Sequence, residues 1–334
     1  MKRLIIPKGY KSKLDLLETE IAIKYVKDTF ERELAKELNL TRVSAPLFVF
    51  PKTGLNDNLN GFERRVNFDI KDIPDEVEVV QSLAKWKRNA LAKYKFNVGE
   101  GLYTDMNAIR RDEDLDSIHS AYVDQWDWEK IINKEDRKIS FLKKTVKKIY
   151  KVLKKLDKKV YEKFGLTQNL PDEITFITTK ELESEYPTLT PSEREYEAVK
   201  KYGAVFLMQI GGKLKNGKPH DGRAADYDDW KLNGDILLYF KELDIAYEIS
   251  SMGIRVDEVS IVKQLKAKNE EYKLENQYVK DILAKKLPYT IGGGIGQSRL
   301  CMFFLQKAHI GEVQASVWSD DDIKLLEENN IHLL

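Results

Sequence analysis

An α+β fold, in which helices flank a mostly antiparallel sheet, is what this 334-residue sequence predicts. Three observations lead there. Short runs rich in β-branched and aromatic residues come in pairs, as at 102–111 with 121–129 and at 235–240 with 245–251. Long helical patterns lie outside these pairs, at about 13–38 and 134–163. Regular strand–helix–strand alternation is missing, and no Pro/Gly/Ser linker, repeat or low-complexity tract divides the chain, so one domain over 1–334 is expected.

Taken in order, Leu14, Leu17, Ile21, Tyr25, Val26, Phe30, Leu34 and Leu38 recur at helical spacing, and Asn39 ends that helix. The run Arg42 to Phe50 reads as a strand whose Pro46 restricts it to an edge or an interface. Asn56 to Gly61 is turn chemistry, followed by strands near 65–71 and 76–81. A helix carrying Lys87 begins at Gln81-Ser82, with Ser82 as its N-cap. On the strand 121–129, alternation puts Gln125, Asp127 and Glu129 on one face and Asp124, Trp126 and Trp128 on the other. The lysine-heavy helix 134–163 buries Leu142, Val146, Ile149, Leu153, Leu156 and Val160, and its basic face reads as solvated. A strand at 174–178, helices at 179–185 and 191–202, and a buried strand at 203–210 follow; Asn216-Gly217 marks a hairpin turn. Asp226 to Trp230 reads as an acidic loop, and two helices occupy about 258–268 and 271–285.

Charge and cysteine content narrow the function. Lys and Arg number 56 against 55 Asp and Glu, a near-neutral balance that excludes a polyanion-coating protein. The single cysteine, Cys301, rules out an intrachain disulfide framework and a cysteine-based metal site, and its apolar helix marks it as core. The histidines at 119, 220, 309 and 332 show no ligand spacing. No segment approaches the roughly 20 apolar residues of a membrane span, and the apolar run near Met1 is too short for a signal peptide. A cytoplasmic protein is expected, with no membrane or nucleic-acid partner.

Three constellations suggest chemistry. If the 235–251 hairpin turns on Lys241 and Glu242, Asp235 lies opposite Glu248, and two such carboxylates stay ionised only around a cation. Oxygen ligands of this kind, with the Ser251 hydroxyl beyond, suit Mg²⁺. Downstream, a short strand (Tyr289 to Ile291) enters glycines 292, 293, 294 and 296, and a helix with Arg299 in its first turn follows. Those glycines suit close approach of backbone to a ligand and equally a tight turn packed on another strand. Well upstream of both, Arg110-Arg111-Asp112-Glu113 closes a hairpin whose arginine would neutralise charge on a transferring phosphoryl group.

The sequence resembles the class II aminoacyl-tRNA synthetase catalytic domain, and within it the ammonia-dependent aspartate–ammonia ligase (asparagine synthetase A) family. The blocks that carry the resemblance are QSLAKWKR (81–88), GEGLYT (99–104), RRDED (110–114), YVDQWDWE (122–129), GGK (211–213), DYDDW (226–230), SSMGIR (250–255) and TIGGGIGQSRL (290–300). It implies ATP-dependent conversion of L-aspartate and ammonia to L-asparagine through a β-aspartyl adenylate, releasing AMP and pyrophosphate. It further implies that Arg110 grips the α-phosphate, although Arg111 is adjacent, and that Glu113 accepts from the adenine amine. Arg299 would stack on adenine or hold the γ-phosphate. Gly294, Arg223 and Asp228 would also serve the nucleotide, the last two from a segment closing over it, and Asp235, Glu248 and Ser251 would carry Mg²⁺. For the amino acid, Lys87 or Arg255 would meet a carboxylate and Asp127 the ammonium, with Ser82, Gln125 and Ser250 around them. Asp57 would be the acid that attracts ammonium and accepts a proton. The long first helix and the Pro46 strand correspond to the motif that builds a homodimer. An aspartyl- or asparaginyl-tRNA ligase is the rival reading, for which the few residues outside the motifs leave no room for an anticodon module; a non-catalytic adenylate-binding paralogue is another.

Overall fold

The computed structural model describes residues 4–56 and 63–334. Helix α1 (Leu16–Leu38) opens with a capping box between Asp15 and Glu18 and closes on Asn39, which takes a left-handed conformation with φ 59°. Its buried stripe is Ala22, Ile23, Val26, Phe30, Leu34 and Leu38, so part of the expected apolar face is displaced: Leu17 and Ile21 are 71% and 52% exposed.

The expected strand at 42–50 is two strands. β1 (Leu40–Arg42) and β2 (Phe48–Val49) belong to different sheets. Pro46 lies between them, where its missing N–H cannot serve a ladder. β2, β3 (Asn67–Ile70) and β4 (Ile73–Val79) form a small antiparallel sheet in the order β2-β4-β3.

The large sheet has eight strands in the order β1-β5-β6-β11-β10-β9-β8-β7. Its members are β5 (Gly101–Ile109), β6 (Tyr122–Ile131), β7 (Thr175–Thr178), β8 (Ala204–Met208), β9 (Asp228–Phe240), β10 (Ile245–Arg255) and β11 (Thr290–Gly296), with β1. Only the outermost pairs, β1 with β5 and β7 with β8, run parallel. The strand laid down last, β11, sits in the middle and pairs with β6 on one side and β10 on the other.

Two corrections bear on the site. First, β11 continues through Gly296 and helix α8 (Gln297–Phe304) starts immediately, so the glycines are strand residues and not a turn. Second, the β9–β10 loop holds four residues, 241–244, with Asp244 at φ 52°. That moves the register by two from the expected one, which sets Glu248 opposite Leu237. A β-bulge between Glu248 and Ser250 then sets Ser251 opposite Asp235. β9 also begins at Asp228, so the acidic segment 226–230 is half strand.

Helices cover both faces of the large sheet. α1, α3 (Ile139–Phe164) and α8 pack on the face that carries Tyr103, Trp126, Trp128, Phe206 and Met252. On the other face α4 (Thr179–Glu185) and α5 (Pro191–Tyr202) cover Val205, Leu207 and Leu237. Both begin with capping boxes, at Thr178 and Thr190. On that face too, α2 (Ala84–Lys93) supplies Trp86 beside Leu102 and Met106, and α6 (Ser260–Ala267) and α7 (Gln277–Leu283) pack around Val256. Cys301 is buried in the core as expected, and burial pushes its thiol up to about 12. No helix of the described residues is long and apolar enough to cross a membrane.

Candidate active site

Strands β6, β10 and β11, with α2, the hairpin tip that follows β5 and the segment before β9, line a cleft of about 480 Å³. β6 supplies Gln125 and Asp127, while Trp126 and Trp128 point into the core, 1% and 0% exposed. This is the expected alternation. The neighbouring strand sets Gly294 opposite Asp127 and Gly292 opposite Glu129. A Cβ at Gly294 would stand 2.7 Å from Asp127 Oδ1 and closer still to Gln125 Oε1, and one at Gly292 would overlap the Glu129 carboxylate. None of these glycines has a left-handed φ. They are glycine because polar side chains of the next strand lie across them.

Lys87 reaches the cleft from α2 and is almost fully buried. Its Nζ donates to Gly293 O at 2.9 Å and lies 3.3 Å from Asp127 Oδ1. Burial pulls its pKa below the ordinary lysine range, against the opposing pull of Asp127. Ser82 lines the cleft but is not the N-cap, a position held by Leu83; Ser82 Oγ accepts from Ala84 N at 3.1 Å.

The adjacent arginines separate cleanly. Arg110 lines the cleft, with its Nε buried and free of hydrogen bonds and its Nη1 3.7 Å from Glu113 Oε2. Arg111 is exposed and donates to the Arg65 carbonyl at 3.5 Å. Arg299, which also lines the cleft, lies 5.9 Å from the centre of the Tyr247 ring and donates to Glu248 O at 2.9 Å.

Arg255 and Asp228, read from sequence as pieces of two ligand sites, are partners. Arg255 Nη1 donates to Asp228, while Nε and Nη2 donate to Glu129 at 3.0 and 2.7 Å. All three side chains are buried, though Arg255 and Asp228 still edge the cleft. Burial alone would raise the Glu129 carboxyl, but Arg255 outweighs it and leaves it below its usual range; Asp228 stays raised by burial. Asp228 therefore does not belong to a mobile cover. It is locked in β9.

Asp235, Glu248 and Ser251 come together despite the altered register: a two-residue shift keeps Asp235 and Glu248 on the same face, and the bulge between Glu248 and Ser250 brings Ser251 opposite Asp235. Glu248 is near enough that its charge helps to raise the Asp235 carboxyl. Burial is the larger cause, and the two push it up to about 7, against the opposing pull of Arg223. Asp235 Oδ1 is buried without a well-formed hydrogen bond, while Oδ2 accepts from Arg223 Nη2. An orphaned carboxylate oxygen, a second acid and a hydroxyl are the donor set that suits Mg²⁺. Glu248, Ser250 and Ser251 line the cleft; Asp235 lies just beneath it, under Arg223.

Asp57 lies outside the described residues. Its neighbour Asn56 is buried, accepting from Gln81 N at 2.8 Å and donating to Val79 O at 3.2 Å. Three features escaped the sequence reading: the role of Glu129, the buried Lys85–Asp226 pair at 2.8 Å and the Tyr227 ring in the cleft wall. Glu129 was legible in principle, two residues beyond Asp127 on the same face and facing a glycine.

The sequence matches the family model described as aspartate-ammonia ligase over residues 17–330. It is 62% identical over 336 residues to the aspartate–ammonia ligase of Clostridium perfringens (strain 13 / Type A), covering 100% of both chains. It is also 62% identical over 327 residues to that of Fusobacterium nucleatum subsp. nucleatum, covering 98% of this chain and 100% of the relative. Among solved structures, Entamoeba histolytica asparaginyl-tRNA synthetase in complex with asparaginyl-adenylate superposes with a TM-score of 0.63 at 13% identity, over 90% of this chain and 66% of that one. The Pyrococcus horikoshii asparaginyl-tRNA synthetase complexed with asparaginyl-adenylate gives 0.61 at 16% identity, over 90% and 70%. These two share the fold, the class II synthetase architecture expected above. With its full-length relatives and a cleft lined by the residues of the family's motifs, the chain belongs to the aspartate–ammonia ligase family.

Proposed function

We propose that the cleft joins L-aspartate to ammonia with ATP as the activating substrate, yielding L-asparagine, AMP and pyrophosphate. One observation carries this reading: Arg110 and Arg299 face a single cleft whose floor pairs a buried ammonium, Lys87, with a carboxylate, Asp127. Two planar cations suit a nucleotide, and the dipolar floor suits an amino acid.

A carboxylate is anionic and resonance-stabilised, hence a poor electrophile. In the first step a β-carboxylate oxygen bonds to the α-phosphorus and the bond to pyrophosphate breaks, leaving a β-aspartyl adenylate. Arg110 meets the charge that builds on the α-phosphate. Glu113 accepts from the adenine amine, and Arg299, Arg223 and the bare backbone at Gly294 flank the nucleotide. Asp127 takes the substrate ammonium; Lys87 meets a carboxylate, with Ser82, Gln125, Ser250 and Arg255 around it. Asp235, Glu248 and Ser251 would hold Mg²⁺, which offsets phosphate charge when bound. In the second step ammonia nitrogen bonds to the β-carbonyl carbon, AMP leaves with the bonding electrons, and the nitrogen loses a proton, for which Asp57 is the proposed acceptor.

The deciding experiment supplies ATP and aspartate with either ammonium or bulk tRNA. Free asparagine formed with stoichiometric AMP from ammonium alone is the expected result. Charged tRNA would favour an aspartyl- or asparaginyl-tRNA ligase, and no AMP in either mixture would leave a binding protein.

A second copy of the chain is the proposed partner. Leu16, Leu17 and Ile21 of α1 are 52%, 71% and 52% exposed, neighbours across one turn of the helix that the family resemblance assigns to a dimer interface. Burying a large aliphatic side chain stabilises by about 1.5–3 kcal/mol. The double substitution Leu17→Glu, Ile21→Glu should therefore weaken self-association by roughly 10²–10⁴. Sedimentation velocity reads this directly, and a dimer that persists unchanged would place the interface elsewhere. The cytoplasm is the proposed compartment.

A further inference from the structure

Arg223 occupies the place in this protein where a divalent cation would be expected. Its guanidinium donates to Asp235 through Nη2 and to Asp221 through Nη1, the latter at 2.6 Å. Asp235 is 5% exposed, and the Glu248 charge acts on both Asp235 and Arg223. A buried carboxylate with a second one close by requires a positive partner, and in this structure the partner is supplied by the chain itself.

The segment carrying Arg223 is built to move over a short span. On one side His220 is buried and pairs with Glu195 at 2.8 Å. On the other, Ala224 O accepts from Trp230 Nε1 at 3.1 Å, Ala225 O accepts from Gln264 Nε2 at 3.1 Å, and Asp226 pairs with Lys85. Between these anchors Asp221 and Gly222 are exposed, and Arg223 is held by the Gly222 carbonyl and by carboxylates. A glycine in a three-residue span gives the guanidinium a pivot without disturbing either anchor.

We infer that Arg223 is a resident counter-ion that excludes free divalent metal from Asp235 and Glu248 and yields the place only when a polyphosphate arrives to receive its guanidinium. A metal ion entering alone would strand Arg223 beside a like charge in a buried site, which is unfavourable. A metal entering with a triphosphate brings the anion that the displaced arginine needs, so the two ligands strengthen each other reciprocally. Arg223 thereby selects metal–nucleotide over metal. This rests on the reading of Asp235 and Glu248 as metal ligands.

Mn²⁺, followed by the loss of its free-ion electron paramagnetic resonance signal, is the probe. Without nucleotide, wild type should bind it weakly and with ATP at least tenfold more tightly. Arg223→Gln should bind Mn²⁺ at least tenfold more tightly than wild type without nucleotide, and should lose most of the gain that ATP brings. Arg223→Lys, which keeps the charge, should stay near wild type in nucleotide-free affinity. If Arg223→Gln is poorly stable, its melting temperature should rise with Mn²⁺ alone while that of wild type does not. Equal nucleotide-free affinity in wild type and Arg223→Gln, with no such selective rise, would overturn the inference while leaving the metal site standing. An Asp235→Asn variant that binds Mn²⁺ with ATP as wild type does would overturn both.

Discussion

Arg110→Ala should slow aspartate-dependent ATP–pyrophosphate exchange by about 10²–10³, the usual loss for one preorganised donor to a developing charge. The side chain is placed before any ligand arrives. β5 ends at Ile109, Arg110 N donates to Ala121 O at 2.8 Å across the hairpin, and Nε is already stripped of water without a protein partner. Little reorganisation remains when the α-phosphate comes within reach, which is why the effect belongs to the transition state and should fall on kcat more than on KM. Arg110→Lys keeps the charge and loses the planar fork, so it should recover only part of the rate. Arg111→Ala, outside the cleft, should leave exchange unchanged. Equal loss from both alanine variants would mean that the hairpin tip, and not one guanidinium, is what matters.

The largest effect on stability is expected at Arg255→Ala. Removing this guanidinium leaves Glu129 and Asp228, 0% and 3% exposed, without their shared cation. Stranding a buried charge in this way costs about 3–5 kcal/mol, which a fall in the urea midpoint would register. A sharper version adds Glu129→Leu and Asp228→Leu to Arg255→Met. Replacing the whole triad by apolar side chains should restore much of the loss, because the penalty arises from the unpaired acids and not from the missing bonds. A single variant with an unchanged midpoint would show that water reaches the acids and that the triad is not dry.

Most of the site was readable from the chain because it depends on local rules. Alternation alone put Gln125 and Asp127 on one face and the two tryptophans on the other, and a sheet of that kind admits no other arrangement once one face is buried. The helices at 179–185 and 191–202 were equally plain, each announced by Thr and Glu in a capping box. What could not be read was whatever depends on counting across a gap. Whether Asp235 meets Glu248 or Ser251 depends on a four-residue loop and one bulge, and neither leaves a local signature. The glycines of β11 read as a turn because the acidic and amide side chains that require them are far away in sequence, on β6. Leu17 and Ile21 looked like core because periodicity identifies an apolar face without saying whether the same chain covers it. Arg255 and Asp228 were each recognised as charged and important. Only the folded sheet reveals that they bind each other.

The central position of β11 governs how the molecule can be made. During synthesis the ribosome releases β5 and β6 early and β7 to β10 in the middle of translation, as two groups of strands each with an unfilled edge. No strand joins them until the glycine strand, among the last segments to emerge, slips between Trp128 and Met252. A nascent chain stalled before residue 290 would present two naked borders ready for mispairing, and neither the proposed phosphate grip nor the proposed amino-acid floor would yet exist. Catalytic competence thus arrives in a single late event, when one side-chain-free strand closes the gap.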